Sequence, residues 1–310
     1  MKHYMCFDIG GTSVKFGVAG ENGALLQKNE IPNVITQKGV DGLVESLASV
    51  TEQCQKEYSL RGIAVSTAGV VDPEKGLILY APKYFPGYPG TALGERLEKR
   101  CDLPCTVEND VNAAALGEYW LGAGQGAKSL FCITVGTGIG GCALLDGRVI
   151  HGAACFGGEA GLQHITPDST WEEMASTRAL IRNVAAAKGI PETALDGRKI
   201  FALAQGGDEE AAAAIARQMD DLATGIANIC YILNPERIIV GGGIAAQEAY
   251  LYPLLDTALR EKLFPLVYEK LTLRFAALQN DAGMLGALYN FLMRQEKYLP
   301  AGRVATIGIL

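Results

Sequence analysis

Three glycine clusters at the ends of apolar runs, and one aspartate at a strand-to-helix junction, are the features of this 310-residue sequence that can do chemistry. Asp8-Ile9-Gly10-Gly11-Thr12 ends the apolar run that begins at Tyr4, and Lys15 follows shortly after. Glycines without side chains let backbone N–H groups approach phosphate oxygens. Thr12 can donate a hydroxyl, and Asp8 can hold a hydrated magnesium ion. A tight hairpin turn with a buried or capping aspartate is the plainer account of that pentapeptide alone. Gly136-Thr137-Gly138-Ile139-Gly140-Gly141 also joins two strands, whereas a dinucleotide-binding loop must open a helix, so an NAD site is rejected. Gly241-Gly242-Gly243 follows the run Arg-Ile-Ile-Val and precedes a helix, where exposed amides and the helix dipole can meet a nucleotide. Three such clusters, each at a strand end, are poorly explained as turns only.

The aspartate lies in Thr106-Val107-Glu108-Asn109-Asp110-Val111-Asn112, ahead of the helical run AAALGEYWLG. A carboxylate at such a mouth, partly shielded from water, can accept the proton of a sugar hydroxyl as that oxygen attacks a γ-phosphate. Asp110 suits this base role. Asn109 can donate to and accept from sugar hydroxyls, fixing the orientation on which phosphoryl transfer depends. An Asn-Asp helix cap is the alternative.

These residues need elements to hold them. Tyr4–Ile9, Val14–Ala19 and Ala24–Ile31 read as a β-meander, with Gly-Glu-Asn-Gly at 20–23 closing a hairpin. A helix is expected over about 39–58, a strand over 61–67, a helix near 91–100 and a short strand ending at Val107. The order then repeats: strands 129–135, 142–146 and 148–152 mirror the opening meander, and helices and the strands 237–240 and 272–278 follow. Two similar α/β halves imply pseudo-symmetry and a cleft between lobes. The stretch 208–233 reads as a helix with Asp208 as N-cap. The apolar tail 298–310 has no assigned role.

Composition narrows the partners. The chain is 49% hydrophobic, enough for two domains with their own cores, and 27 Lys and Arg against 34 Asp and Glu give a net charge of −7. An acidic chain is a poor partner for nucleic acid or an anionic membrane. The start MKHYMCFDIGG has no export signal, and no apolar run approaches the roughly 20 residues of a membrane span, so a cytoplasmic protein is expected. The eight cysteines show no paired spacing and read as reduced thiols, with Cys101 and Cys105 flanking a turn.

Taken together, DIGGT at 8–12, VENDVNAAALGE at 107–118, TVGTGIGG at 134–141, GGEAG at 157–161, GGG at 241–243 and NDAGMLGA at 280–287 resemble the ROK family of sugar kinases and sugar-responsive repressors. The resemblance spans residue 4 to about 294. It implies a two-domain α/β fold of the actin and hexokinase (ribonuclease-H-like) type, with an interdomain cleft for ATP and sugar. The expected domains are 1–112 plus about 289–310, and 113–288. The resemblance assigns Asp8 to the magnesium-phosphate region and Gly10, Gly11, Thr12, Thr137 and Gly138 to phosphate binding. Lys15 and Gly136 join that set, and Gly242 and Gly243 fall on the adenosine side. Asn109, Asp110 and Glu159 are assigned to the sugar, with Asp110 as base, and Gly69 is counted with the sugar-binding residues. A homodimer is common in the family.

The chain also departs from the family. Many members carry a Gly-His pair and a CxCGxxGCxE loop that binds structural zinc. Here Leu162 stands where the histidine would, and there is no cysteine from 156 to 229, so no zinc is expected. His164 is a substitute sugar contact or a satisfied strand residue. Glu172, or Glu173 if the shortened loop shifts, takes the place of a second sugar-contacting glutamate. A helix-start role is the rival for either. Zinc-free members include β-glucoside kinases and N-acetylmannosamine kinases, which leans the expectation away from a strict glucokinase. The rival functions are a ROK-type regulator without kinase activity and a non-catalytic actin-like ATPase.

Overall fold

The computed structural model describes residues 1–298, so the tail from 299 lies outside the described residues. It divides into two compact units, Met1–Leu121 with the chain from Asn280 on, and Gly122–Gln279.

The first unit begins with the meander β1 (His3–Ile9), β2 (Ser13–Gly20) and β3 (Leu25–Pro32). The β2–β3 turn closes with Gly20 N–H donating to the Ala24 carbonyl at 3.0 Å, and with Gly23 at a φ of 82° that suits glycine. α1 (Ile35–Gln55) starts before the expected position and bends at Gly39, whose φ of 65° breaks the helix. β4 (Leu60–Thr67) pairs parallel with β1. A small hairpin, β5 (Val70–Asp72) and β6 (Leu77–Tyr80), is too short and too broken by turns to show as a periodic pattern. α2 (Leu93–Cys101), β7 (Cys105–Asn109) and α3 (Asp110–Leu121) follow. The sheet order is β3-β2-β1-β4-β7. β1 is buried on both faces, so it reads as a continuous apolar run rather than an alternating one.

The second unit repeats this plan. β8 (Ser129–Val135), β9 (Ile139–Leu145) and β10 (Arg148–Val149) form its meander. β10 is shorter than the expected 148–152 because the chain turns away after Val149, where Gly157 N–H donates to the His151 carbonyl at 2.8 Å. The minor hairpin β11 (His164–Thr166) and β12 (Ser169–Thr170) leads into α4 (Trp171–Ala175), α5 (Thr177–Lys188), α6 (Gly197–Gln205) and α7 (Glu209–Leu233). Asp208 caps α7 by accepting from Ala211 N–H, as its position in the sequence suggests. β13 (Arg237–Gly241), α8 (Glu248–Lys262), α9 (Pro265–Lys270) and β14 (Thr272–Phe275) complete the unit. Its order, β10-β9-β8-β13-β14, is that of the first sheet strand for strand, with the same antiparallel and parallel pairings. Each unit has its own core, built on Phe7, Leu47, Ile63 and Val107 in the first and on Trp171, Leu222, Ile238 and Leu255 in the second.

The chain then returns to the first unit as α10 (Ala282–Tyr298), which packs on α3. The first unit runs to Leu121 and resumes at Asn280, where 112 and about 289 were expected, and its α3 and α10 pack closely together. Glycine permits the close contact. A Cβ on Gly286 would lie 1.6 Å from the Ala113 carbonyl oxygen, and one on Gly117 would lie 2.5 Å from that of Ala282. Gly286→Ala is therefore expected to destabilise the protein by about 1–3 kcal/mol, because the clashing atom is backbone and has no rotamer to escape into. That clash outweighs the roughly 1 kcal/mol by which alanine favours helix. A urea midpoint equal to or above that of the parent protein would refute the account.

Among the described residues no disulfide forms, and Cys101 and Cys105 are not joined. Among the described residues no helix is long and apolar enough to cross a membrane.

Candidate active site

The sheet register places Asp8 opposite Lys15 on β2 and Ser66 on β4. Ser66 Oγ donates to Asp8 Oδ1 at 2.7 Å. A Cβ on Gly283, at the start of α10, would come within 2.8 Å of the Asp8 carboxylate, so glycine is what admits the carboxylate there. Burial pushes the Asp8 carboxyl up, and Ser66 and Lys15 oppose the shift. Lys15 Nζ donates to Asn280 Oδ1 at 3.3 Å. Its charge also acts on the Asp8 carboxyl across the hairpin.

The turn at residues 10–12 is held from below. Gly10 N–H donates to the Ser13 carbonyl at 2.9 Å, Asn33 Nδ2 donates to the Gly10 carbonyl at 2.8 Å, and Asn33 N–H donates to the Thr12 carbonyl at 3.0 Å. Gly11 and Thr12 themselves are exposed. Asn33, which is buried, went unnoticed in the sequence; its one signal is a polar residue between Pro32 and the start of α1. A desolvated carboxylate beside an open glycine turn is a donor set that suits a magnesium ion held through water.

Asn109 and Asp110 sit where β7 meets α3, both half-buried. Asn109 Oδ1 accepts from the Val111 and Asn112 amides at 2.9 and 3.0 Å, which caps the helix. Its Nδ2 donates to the Gly69 carbonyl at 2.8 Å and to Asp110 Oδ1 at 2.9 Å. Two donors and two lone pairs are all such an amide has, so Asn109 is fully engaged, with one of its four bonds holding Asp110. Contact with a ligand would require it to exchange one of these bonds. Asp110 Oδ1 also accepts from Val111 N–H at 2.9 Å. Gly69 contributes through its backbone: its φ is 107°, and a Cβ there would lie 2.4 Å from the Tyr80 carbonyl oxygen. Beneath them Glu108 is fully buried and accepts from Asn109 N–H and Asn112 Nδ2, each at 3.0 Å. Its position in the motif is plain in the sequence, but its supporting role is not.

The second unit carries the equivalent turn between β8 and β9. Gly136 N–H donates to the Gly138 carbonyl at 3.0 Å, and Thr177 N–H, at the start of α5, donates to the Gly136 carbonyl at 2.9 Å. Thr137 is exposed at the tip. Glu172 lies over this turn, with Oε2 accepting from Ile139 N–H at 3.2 Å and occupying the space where a Gly138 Cβ would stand. Burial first, and then the charge of Glu172, push the Glu159 carboxyl up, so the two carboxylates belong to one neighbourhood. Glu159 is carried there by glycines that meet β9 backbone to backbone: a Cβ on Gly158 would lie 2.4 Å from the Gly141 carbonyl oxygen, and one on Gly161 would lie 2.1 Å from that of Ile139.

Glu173 does something else. It completes a capping box with Thr170, accepting from its N–H at 2.8 Å and its hydroxyl at 3.0 Å. The pair Glu172 and Glu173, left open by the sequence, is thereby divided between the turn and the cap. His164 is exposed on β11, and its charge helps hold the Glu173 carboxyl low, behind the larger effect of the Thr170 bonds. A cavity of about 260 Å³ beside the turn is lined by Thr137, Glu172, Ser176 and Arg178 among others. Arg178 is a cation the motifs do not flag.

Gly242 and Gly243 are exposed after β13. They open a 3-10 turn, Gly243–Gln247, and α8 begins only at Glu248, so the helix dipole stands farther off than expected. At a φ of 79°, a Cβ on Gly242 would lie 2.4 Å from the Val135 carbonyl oxygen, which binds this cluster to the strand that leads into the turn at 136–138.

The ROK family pattern matches residues 4–295. An uncharacterised protein of Clostridium perfringens is 42% identical over 93% of this chain and 97% of its own. A beta-glucoside kinase of Listeria innocua is 32% identical over 94% of this chain and 98% of its own. Among solved structures, a ROK hexokinase from Thermus thermophilus superposes with a TM-score of 0.83 at 32% identity, covering 95% of this chain and 99% of that one. The α/β architecture is the two-domain, actin-like fold of these hexokinases. With the pattern running through nearly the whole chain, and the glycine turns and the Asn109-Asp110 junction in its order, this protein belongs to the ROK family.

Proposed function

We propose that this protein is an ATP-dependent sugar kinase that transfers the γ-phosphoryl group to the 6-hydroxyl of a hexose or hexose derivative. The observation that carries the reading is Asp110, half-buried at the mouth of α3 and aimed by a fully committed Asn109. A carboxylate so placed can take a proton from a hydroxyl, and preset orientation is most of what phosphoryl transfer asks of a protein.

In this reading the sugar O6 forms a bond to the γ-phosphorus while the bond to the β,γ-bridging oxygen breaks. ADP leaves with that electron pair, and the O6 proton passes to Asp110. The exposed amides at Gly11 and Thr12 bind phosphate oxygens, and Thr137 and Gly138 do the same in the second unit. Magnesium, when bound through water at Asp8, supplies positive charge against the phosphate oxygens. Asp8 holds its place through Ser66, and its desolvation is what a cation relieves. Glu159 and Glu172 orient the remaining sugar hydroxyls. Gly242 and Gly243 are assigned to the adenosine.

For the acceptor, the reading takes in a β-glucoside, N-acetylmannosamine or glucose, since both beta-glucoside kinases and glucokinases stand among the relatives. The test is a coupled ADP-release measurement across glucose, N-acetylmannosamine, N-acetylglucosamine, fructose, allose, cellobiose and gentiobiose, with catalytic efficiencies compared. At least one sugar is expected to raise ADP release far above background and to yield a 6-phosphate. If none of them does, the kinase reading falls.

A further inference from the structure

We infer, on the reading that this protein is a sugar kinase, that Tyr84 is a substrate-contacting residue whose ring covers the phosphate turn beside Asp110 and keeps water from the transferring phosphoryl group. Nothing in the glycine or acidic motifs points to it. Tyr84 lies in the 81–92 connection between β6 and α2. That connection is built as successive tight turns, with Phe85 N–H donating to the Pro82 carbonyl at 2.8 Å and Thr91 N–H to that of Tyr88 at 3.1 Å.

Three aromatic rings then run from the core to the site. Tyr88 is fully buried, and its hydroxyl shares a hydrogen bond of 2.9 Å with Thr67 Oγ1. Phe85, also buried, stacks on Tyr88 with ring centroids 5.2 Å apart and planes 20° apart. Tyr84 packs on Phe85 at 5.2 Å. It alone of the three faces solvent, at 54% exposure, although the rings below it fix its position. A large ring held rigidly at the surface beside an open turn is placed for a ligand rather than for the core.

What it covers decides the assignment. The ring edge lies 3.0 Å from where a Cβ on Gly11 would stand, so it rests on the α-carbon of the exposed glycine in the turn. The charge of Asp110, behind burial, raises the Tyr84 phenol, so the ring is within electrostatic reach of the base. The ring rests on the phosphate turn, and the γ-phosphorus must sit near both that turn and Asp110 for Asp110 to serve O6. Water at that place would make the same displacement as the sugar and release phosphate instead, and a fixed apolar ring is the means to exclude it.

The test compares Tyr84→Phe and Tyr84→Ala, each confirmed as folded by its thermal midpoint, as an exposed side chain allows. The readout is the ratio of free phosphate released to sugar phosphate formed, at saturating sugar. Tyr84→Ala is expected to raise that ratio about tenfold, and Tyr84→Phe, which keeps the ring, to leave it within about twofold. An unchanged ratio in Tyr84→Ala overturns the inference, and so does a rise in Tyr84→Phe as large as that in Tyr84→Ala. A parent protein that phosphorylates no sugar would sink the kinase reading itself. A competent parent protein with an unchanged Tyr84→Ala ratio sinks only this role.

Discussion

Asp110→Asn is expected to lower the turnover of sugar phosphorylation by about 10²–10⁴-fold, the range a general base contributes, with sugar affinity nearly unchanged. The substitution is close in shape, and its Oδ1 can still accept from Val111 N–H and Asn109 Nδ2, so the first turn of α3 remains capped. The loss of one negative charge at a helix N-terminus costs only about 0.3–1 kcal/mol, too little to explain a large kinetic effect through unfolding. What disappears is the lone pair that takes the O6 proton. Turnover by ADP release and sugar affinity by calorimetry separate the two quantities. Full turnover in the variant would remove Asp110 from the base role, and a matching loss of sugar affinity would recast it as a binding residue.

Trp171→Ala is expected to cost about 3–5 kcal/mol of stability, the usual range for emptying an aromatic site in a core. Trp171 is fully buried, and Gly225 is the complement to its ring: a Cβ there would lie 2.0 Å from the indole. Nearby atoms cannot easily collapse into the space, because the wall opposite is helix backbone. The indole N–H also donates to the Asp221 carbonyl at 3.1 Å, a bond worth about 1 kcal/mol net. Since Glu172 is the next residue and lies over the turn at 136–138, the same variant is expected to impair catalysis as well as folding. The chain has two tryptophans, and the other, Trp120, belongs to the first unit. Its fluorescence in the variant reports from that unit, so the urea midpoint is read by far-ultraviolet circular dichroism, to which the helices of the second unit contribute. A urea midpoint within error of the parent protein would show that the site refills.

Much of this was legible without a structure, wherever the information is local. Turns written as Gly-Glu-Asn-Gly or Asp-Gly fix hairpins over a few residues, and the cap at Asp208 is decided within one helical turn. The recurrence of a meander followed by helices and single strands was enough to expect two similar halves, and the sheets have the same strand order. Asp8, Asn109 and Asp110 stand out as polar residues at the ends of apolar runs, although capping accounts for part of what Asn109 does there.

What the sequence left open depends on partners far apart in the chain. Asp8 meets Ser66 and Gly283 through parallel pairing and a returning helix, neither of which a local pattern encodes. The helices α3 and α10 touch through Gly117 and Gly286, 169 positions apart in the numbering. Glu172 and Glu173 are adjacent and chemically identical; only the direction of α4, set by the Thr170 cap and the burial of Trp171, sends one to the turn and the other to the cap. By itself, then, the sequence determined the family, through glycine turns at strand ends and an aspartate at a helix mouth. The tertiary structure alone decided which side chains support them, Asn33 under one turn, Tyr84 over it and Glu172 over the other, since register and packing, rather than spacing along the chain, bring such residues together.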